Sequence, residues 1–321
     1  MNIIKKYKNY IALGFIALLV GYILLPQLDS LKESIQALKS ANTFWVLVAV
    51  GIFFSGVLAL ALQYMVLAIQ KLHFKLTLQV ECAELFVSRI LPSGVGTVAL
   101  NMYYLMQKKH TAAQAAAVVA ANGFSNAIAY SMLIIVGLIG SNFSLGIHHR
   151  ITENLHMQDL FIAVVVLIIV CALLYRVPIV NRNVKKFFKS LTSSLVGYKD
   201  KPNAIASAVL LNGAGSLTGI LAIYFCAKAL SVDLSIPQAL LTYTAGNIMA
   251  SLVPTPGGLG SAEAGIYAGL TLSGLSAVDA ISVTMLYRLI SYWIPLVPGY
   301  IAFWHLRKTV LSDFSLKKHA G

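Results

Sequence analysis

Two charged residues sit where water is scarce. Glu263 closes the run Pro254-Thr255-Pro256-Gly257-Gly258-Leu259-Gly260-Ser261-Ala262-Glu263, and Arg288 lies in Leu286-Tyr287-Arg288-Leu289-Ile290; both runs are embedded in apolar sequence. A charge near a bilayer centre costs about 2.5–3.5 kcal/mol on insertion scales, and by default it marks a substrate, ion or proton path. A carboxylate at a helix start regains only about 0.3–1 kcal/mol from the helix dipole, so capping alone does not account for Glu263. The chemistry available is proton handling at Glu263 and phosphate recognition at Arg288, whose planar fork matches phosphate oxygens bidentately. A Glu263–Arg288 pair would satisfy both charges. Pairing and phosphate binding both hold if the pair opens when a phospholipid arrives.

A second, weaker set lies in the first half of the chain. Glu84 and Arg89 precede Pro92-Ser93-Gly94-Val95-Gly96, and Asn101 follows it. Glu81 shares a helical face with Glu84 at i, i+3 and reads as an interfacial residue. Asn122, Asn126, Asn212 and Asn247 read mainly as helix–helix hydrogen-bonding groups. Asp279 reads as a helix-start carboxylate, and Tyr103, Tyr104, Trp293 and Trp304 as packing or interfacial aromatics. Enzyme signatures such as G-x-S-x-G, H-E-x-x-H and Walker A are missing, and the G-x-G pairs lack a βαβ setting. Cys82, Cys171 and Cys226 are single cysteines in apolar segments, which suits neither a zinc site nor a disulfide framework. His148, His149 and His156 share one stretch that reads as a solvated loop. No cofactor is indicated.

The elements that must position these residues belong to a membrane. The 321 residues are 58% hydrophobic and 11% charged, with a mean hydropathy of +0.79. Soluble domains carry roughly 25% charged residues. No polar stretch suffices for a soluble domain; the longest, about Arg176 to Asn203, is a loop with one amphipathic helix. The net charge of +13 sits at segment ends, which fits cytoplasmic loops rather than nucleic-acid binding. Ile11 to Leu25 follows three lysines but precedes no small-x-small cleavage site, so it reads as an uncleaved first transmembrane helix.

Pro92-Ser93-Gly94-Val95-Gly96 lies 164 positions before Pro256-Gly257-Gly258-Leu259-Gly260. At the same offset apolar segments fall on apolar segments, a repeat of hydropathy and breaks rather than of residues, as in duplicated transporters. The expected elements of repeat 1 (about 1–150) are Tyr10–Leu25, Thr43–Ile69, a broken Leu78–Gln107 and Ala112–Gly140. Those of repeat 2 (about 151–321) are Asp159–Tyr175, Ala204–Ala229, a broken Gln238–Leu272 and Ala277–His305. The pieces of each broken segment, about 13–16 residues, are short for spanning, which needs roughly 20, and suit re-entrant hairpins. With Lys5, Lys6 and Lys8 inside, re-entrant hairpins also keep Lys108, Lys109 and the cluster Arg182 to Lys201 inside. Three crossings per half then invert the second half. The expectation is an all-α polytopic protein forming a single transmembrane domain over 1–321. It has two inverted repeats, about six spanning helices and two re-entrant hairpins whose Pro/Gly tips meet near the midplane.

The P-x-P-G-G-x-G-x-x-E run, with Arg288 some 25 residues further on, resembles the membrane region of bacterial lysylphosphatidylglycerol synthase/flippases and their stand-alone relatives. The resemblance spans nearly the whole chain. It implies a multi-pass protein of the bacterial cytoplasmic membrane, both termini cytoplasmic, with lipid-translocating rather than enzymatic activity. Carried over to this sequence, it points to Pro254, Pro256, Gly257, Gly258, Gly260, Glu263 and Arg288. The fused aminoacyl-transferase domain has no counterpart here, so lysyl transfer is not expected. Many relatives carry Gly-Glu and then a basic residue after the first-half proline; here Gly96-Thr97-Val98-Ala99-Leu100-Asn101 stands instead, which turns attention to Glu84 and Arg89. The expected partners are membrane phospholipids or a lipid-linked substrate, a homo-oligomer is compatible with the sequence, and nucleic acid is not a partner. The favoured function is a flippase or transporter working by alternating access, with Glu263 the best proton candidate. Its competitors are a membrane enzyme acting on lipid-linked phosphates or sugars, disfavoured by few and scattered carboxylates, and a non-catalytic partner of a separate synthetase or glycosyltransferase.

Overall fold

In a computed structural model, residues 35–91, 94–140, 196–199, 201–253 and 255–309 are described, and they are helical throughout apart from short connections. The expected helices Tyr10–Leu25 and Asp159–Tyr175 lie outside the described residues, as do Pro92 and Pro254. Nine helices are described from Thr43 onward: α1 (Thr43–Leu67), α2 (Phe74–Ile90), α3 (Val95–Gln107), α4 (Ala112–Gly140), α5 (Pro202–Ala229), α6 (Ile236–Leu252), α7 (Ser261–Leu272), α8 (Ala277–Arg288) and α9 (Ile294–Thr309). A five-residue π turn, Leu289–Trp293, joins α8 to α9.

Among the described residues, length and composition make four stretches able to cross a membrane: α1, most of α4 (Ala112–Val136), α5 and the joined α8–α9 (Ala277–Arg307). The last is 61% buried across its apolar window, against 22–39% for the other three, which makes it the most buried of the four. The two broken segments fold as sequence chemistry requires. Each gives a 17-residue helix, α2 or α6, then a glycine-rich break, then a helix of 13 or 12 residues, α3 or α7. Gly94 (φ 81°) opens α3, and Gly257, Gly258 and Gly260 (φ 61°, 69° and 77°) carry the chain from α6 into α7; other residues are strained in that region.

Both pairs are antiparallel. In the second, Gly246, Gly265 and Gly269 let the backbones touch. A methyl on Gly246 would stand 2.7 Å from Ile266, one on Gly269 2.6 Å from Thr242 Cα, and one on Gly265 would collide with the Ala245 carbonyl. Ser235 and Gln238 form a capping box at the start of α6, and Gln238 Nε2 donates to Ser273 O across the open end (3.0 Å). In the first pair, side chains hold the helices together: Thr97 Oγ1 and Asn101 Nδ2 donate to the two oxygens of Glu84 (2.8 and 2.9 Å), and Thr77 and Tyr104 bond through their hydroxyls (2.8 Å).

Around these pairs, α1 packs along α5, while α2 lies against α9 and α6 against α4. Small residues permit the close crossings, as is usual between apolar helices: Gly56 against Thr218, and Gly299 against Cys82 O and Phe86. The end of α1 is tied by side chains from elsewhere. His110 Nε2 accepts from the Ile69 and Gln70 amides, and Tyr198 Oη donates to Leu67 O (2.6 Å). Burial pushes the Tyr198 phenol up to about 12, so it remains a donor. Asp279 does open its helix: its amide donates to Ser276 Oγ (3.1 Å), whose hydroxyl donates back to Oδ2 (2.7 Å).

Candidate functional site

The two expected charges meet. Glu263 is in the first turn of α7, held by the glycine tip, and Arg288 is the last residue of α8. Arg288 Nε donates to Glu263 Oε1 at 2.7 Å, with side chains 7% and 13% exposed. Arg288 Nη2 reaches the Gly257 carbonyl at 3.4 Å. The second carboxylate oxygen, Glu263 Oε2, is buried and has no hydrogen-bond partner.

A second guanidinium comes from the first hairpin. Near the end of α2, Arg89 donates from Nη2 to Ser291 O (2.8 Å) and from Nη1 to Ser88 Oγ (2.8 Å). Its Nε is buried without a partner. Ser291 lies in the π turn, and wide turns of this kind recur at functional sites. The next residue, Tyr292, presents its ring to both arginines, with Arg288 Cζ 4.8 Å and Arg89 Cζ 5.6 Å from the centroid. These cation–π contacts favour both cations. Gly257 completes the junction: a methyl there would stand 2.5 Å from the Tyr292 ring and 3.2 Å from Arg89 Cα. The tip of the second hairpin therefore rests on the end of α2.

Between the hairpins lies a cavity of about 330 Å³. Its lining includes Arg89, Arg288, Ser88, Asn247 and Ser291, the tip residues Gly94, Gly257 and Gly258, and the aromatics Phe53, Tyr243 and Tyr287. Among the described residues, both arginines line it and no carboxylate does. Two guanidiniums with spare donors, one buried and one half-buried, on a small cavity of mixed polar and apolar lining can bind a phosphate or another oxyanion. Among the described residues no three His, Cys, Asp or Glu side chains gather as metal ligands.

The structure brings Glu263, Arg288, Arg89, Gly94, Gly257 and Gly258 to this one place. Pro256 shapes the tip, its carbonyl accepting from Leu259 N (3.3 Å), and Gly260 starts α7 with open space around it. Glu84 and Asn101 do not line the cavity; they clasp α2 to α3. Gly96 packs in α3, where a methyl would meet Val87. Sequence reading missed Tyr292, Ser88 and Ser291. Tyr292 had a signal, four residues after an intramembrane arginine; a backbone carbonyl such as Ser291 O has none.

Comparison with known proteins places the chain. The family model described as "Lysylphosphatidylglycerol synthase TM region" matches residues 9–299. A UPF0104 membrane protein of Methanocaldococcus jannaschii is 22% identical over 240 residues, covering 73% of this chain and all of that protein. A second, from Pyrococcus horikoshii, is 37% identical over 94 residues, covering 29% of this chain and 28% of that protein. The match over most of its length, with the glycine tip and its Glu263–Arg288 pair inside the matched region, makes this chain a member of the lysylphosphatidylglycerol synthase transmembrane-region family.

Proposed function

We propose that the protein is a flippase or transporter that moves a phospholipid, or a lipid-linked headgroup, across the cytoplasmic membrane. The observation that carries this reading is the cavity at the hairpin junction, lined by the buried Arg288 and the half-buried Arg89 and, among the described residues, by no carboxylate. A phosphodiester brings one negative charge and two free oxygens, which suit the unpartnered Arg89 Nε and the Arg288 fork. The headgroup passes between the tips while its acyl chains stay in lipid.

The fold supports an alternating mechanism. Helices of matching rank recur in the two halves, with 17-residue α2 and α6 followed by short α3 and α7. Each half's 17-residue helix lies against the other half's last span. We read this as two inverted repeats, with α2/α3 and α6/α7 as re-entrant hairpins entering from opposite faces. Such repeats expose a midplane site to each side in turn by rocking. In this reading the protein crosses the bacterial cytoplasmic membrane six times with both termini inside, and it is not an enzyme.

The test is leaflet exchange in phosphatidylethanolamine/phosphatidylglycerol liposomes carrying a fluorophore-labelled phospholipid, with dithionite bleaching the outer leaflet. Wild-type protein accelerates exchange over empty vesicles. Arg89→Ala, which removes charge-assisted contacts worth about 1.5–3 kcal/mol, slows it about tenfold or more at equal reconstitution. Vesicles no faster than empty ones across a broad lipid panel overturn the reading, and turnover of a lipid-linked phosphate in the same vesicles would make the protein an enzyme.

A further inference from the structure

We propose that Glu81 and Glu84 form a proton-binding carboxyl pair that couples headgroup movement to a proton gradient; this rests on the transport reading above. The two residues are one turn apart on α2, and their carboxyl groups stand within hydrogen-bonding reach of each other. Glu81 is 2% exposed and Asn101 is fully buried. Two carboxylates in contact cannot both stay ionised, because each repels the other's charge. Something positive must stand between them.

The donors around the pair fall short of its acceptors. The two side-chain donors that bond to the pair, Thr97 Oγ1 and Asn101 Nδ2, are both spent on Glu84. That leaves Glu81 Oε1 and Asn101 Oδ1 as buried acceptors with no partner. Asn101 is the residue whose amide already donates to Glu84, so its own oxygen adds a second unmet acceptor beside the pair. A shared proton is the smallest charge that lets two carboxyl groups one turn apart stay buried together.

Among the described residues no neighbour donates to Glu81 Oε1. From α1, Tyr64 faces both carboxylates. From α3 comes Tyr104, its hydroxyl committed to Thr77. On α2 itself are Cys82 and Arg89. From α9, Gly299, Tyr300 and Phe303 cover the Cys82–Phe86 surface. Arg89 is the cation that acts on Glu84, yet its hydrogen bonds go to neutral groups in the cavity wall.

That placement gives the coupling. With one proton the pair carries a single negative charge that partly offsets Arg89. A second proton, taken from one aqueous phase, neutralises the pair and leaves the Arg89 charge to a lipid phosphate. Loss of that proton on the other side restores the offset and favours release. By linkage, lipid binding must promote proton uptake by the same factor. Glu263, by contrast, is already ion-paired with Arg288 and is a gate rather than the coupling acid.

The experiment has two arms on the reconstituted full chain. Infrared difference spectra in H2O and D2O should show a protonated-carboxyl band that loses intensity in both Glu81→Gln and Glu84→Gln. In the phosphatidylethanolamine/phosphatidylglycerol liposomes, an imposed pH gradient should speed wild-type exchange of the labelled phospholipid about tenfold, within the usual range of coupling between sites. Glu81→Gln, whose amide mimics the protonated acid and can still donate to Glu84, should exchange at one rate with or without the gradient. A missing carboxyl band, a Glu81→Gln variant that keeps the gradient response, or exchange driven by Na+ alone overturns the proposal. Failure of all exchange would overturn the transport reading and leave the infrared result to judge the pair separately.

Discussion

The two hairpins solve one packing problem by opposite means. In α6/α7, Gly246 packs on the Ile266 side chain, and Gly265 and Gly269 bring the two backbones together beside the Thr242 hydroxyl, with the Gln238–Ser273 hydrogen bond at the open end. At the corresponding height of α2/α3 stand Glu84, Asn101 and Thr97, joined by two hydrogen bonds. A glycine seam is held by shape and cannot relax, whereas a carboxylate clasp is held by charge and responds to protonation. The second hairpin carries the family motif and a fixed ion pair; the first carries the unpaired arginine and the titratable cluster. On the transport reading proposed above, the difference sets a rigid gate against a switchable one.

The largest effect should come from breaking the ion pair of the rigid side. Arg288→Ala leaves Glu263 buried without a cation, a loss of about 3–5 kcal/mol for severed buried pairs. Unfolding in SDS-titrated mixed micelles measures it. Adding Glu263→Gln to Arg288→Met should recover most of the stability, because replacing both partners by neutral groups is often tolerated, while lipid exchange stays lost. Arg89→Met on the other side should cost less, about 1.5–3 kcal/mol for the charge-assisted hydrogen bonds to Ser88 and Ser291, since neither acceptor is left as an unpaired charge. Equal costs for Arg288→Ala and Arg89→Met would erase the distinction between the gates.

Much of this was legible in the sequence, for physical reasons that can be named. The bounds of α4, Ala112–Gly140, follow from a charged stretch at Lys108–His110 and an uninterrupted apolar run. The breaks follow from glycine and proline. The Glu263–Arg288 pair follows from the cost of an unpaired charge in an apolar segment. The junction of the two halves was not legible. Arg89 reaches Ser291 across 202 residues, and its acceptor is a backbone carbonyl, which every residue has. Nor does Leu289-Ile290-Ser291-Tyr292-Trp293 differ in composition from ordinary helix, so the π turn leaves no trace. Glu84 was expected at the substrate path because a buried carboxylate invites that reading; the structure gives it two donors on α3 instead.

The glycine seam can be tested by filling it. A methyl on Gly265 would collide with the Ala245 carbonyl and stand 2.9 Å from Gly246 Cα. Both neighbours are backbone and cannot turn aside, so Gly265→Ala should cost about 3 kcal/mol, the upper end of overpacking. Gly96→Ala, in the clasped hairpin, meets the Val87 side chain at 2.9 Å and its carbonyl at 3.0 Å; the side chain can move, and the cost should be about half as large. Gly123→Ala meets nothing within 4 Å and should be neutral or stabilising by up to about 1 kcal/mol through helix propensity. Thermal unfolding of the three variants in one detergent ranks them, and a harmless Gly265→Ala would show that the second hairpin is not a rigid seam.

The smallest effect, and the finest probe of the comparison, is on the clasp. Hydrogen bonds between membrane helices average only about 0.6 kcal/mol and reach about 1.7, so Thr97→Val should cost about 1 kcal/mol, with Asn101 still holding Glu84. Glu84→Gln keeps an acceptor for one of the two donors and should cost about the same. Glu84→Ala strands Thr97 and Asn101 together, and its cost should rise to about 2 kcal/mol. If the clasp senses protonation, the cost of Thr97→Val shrinks as pH falls, because a protonated Glu84 accepts more weakly than a carboxylate. Under the same titration Gly265→Ala, which touches no titratable group, holds a constant cost. Parallel pH profiles for the two variants would mean that both hairpins are held by shape alone.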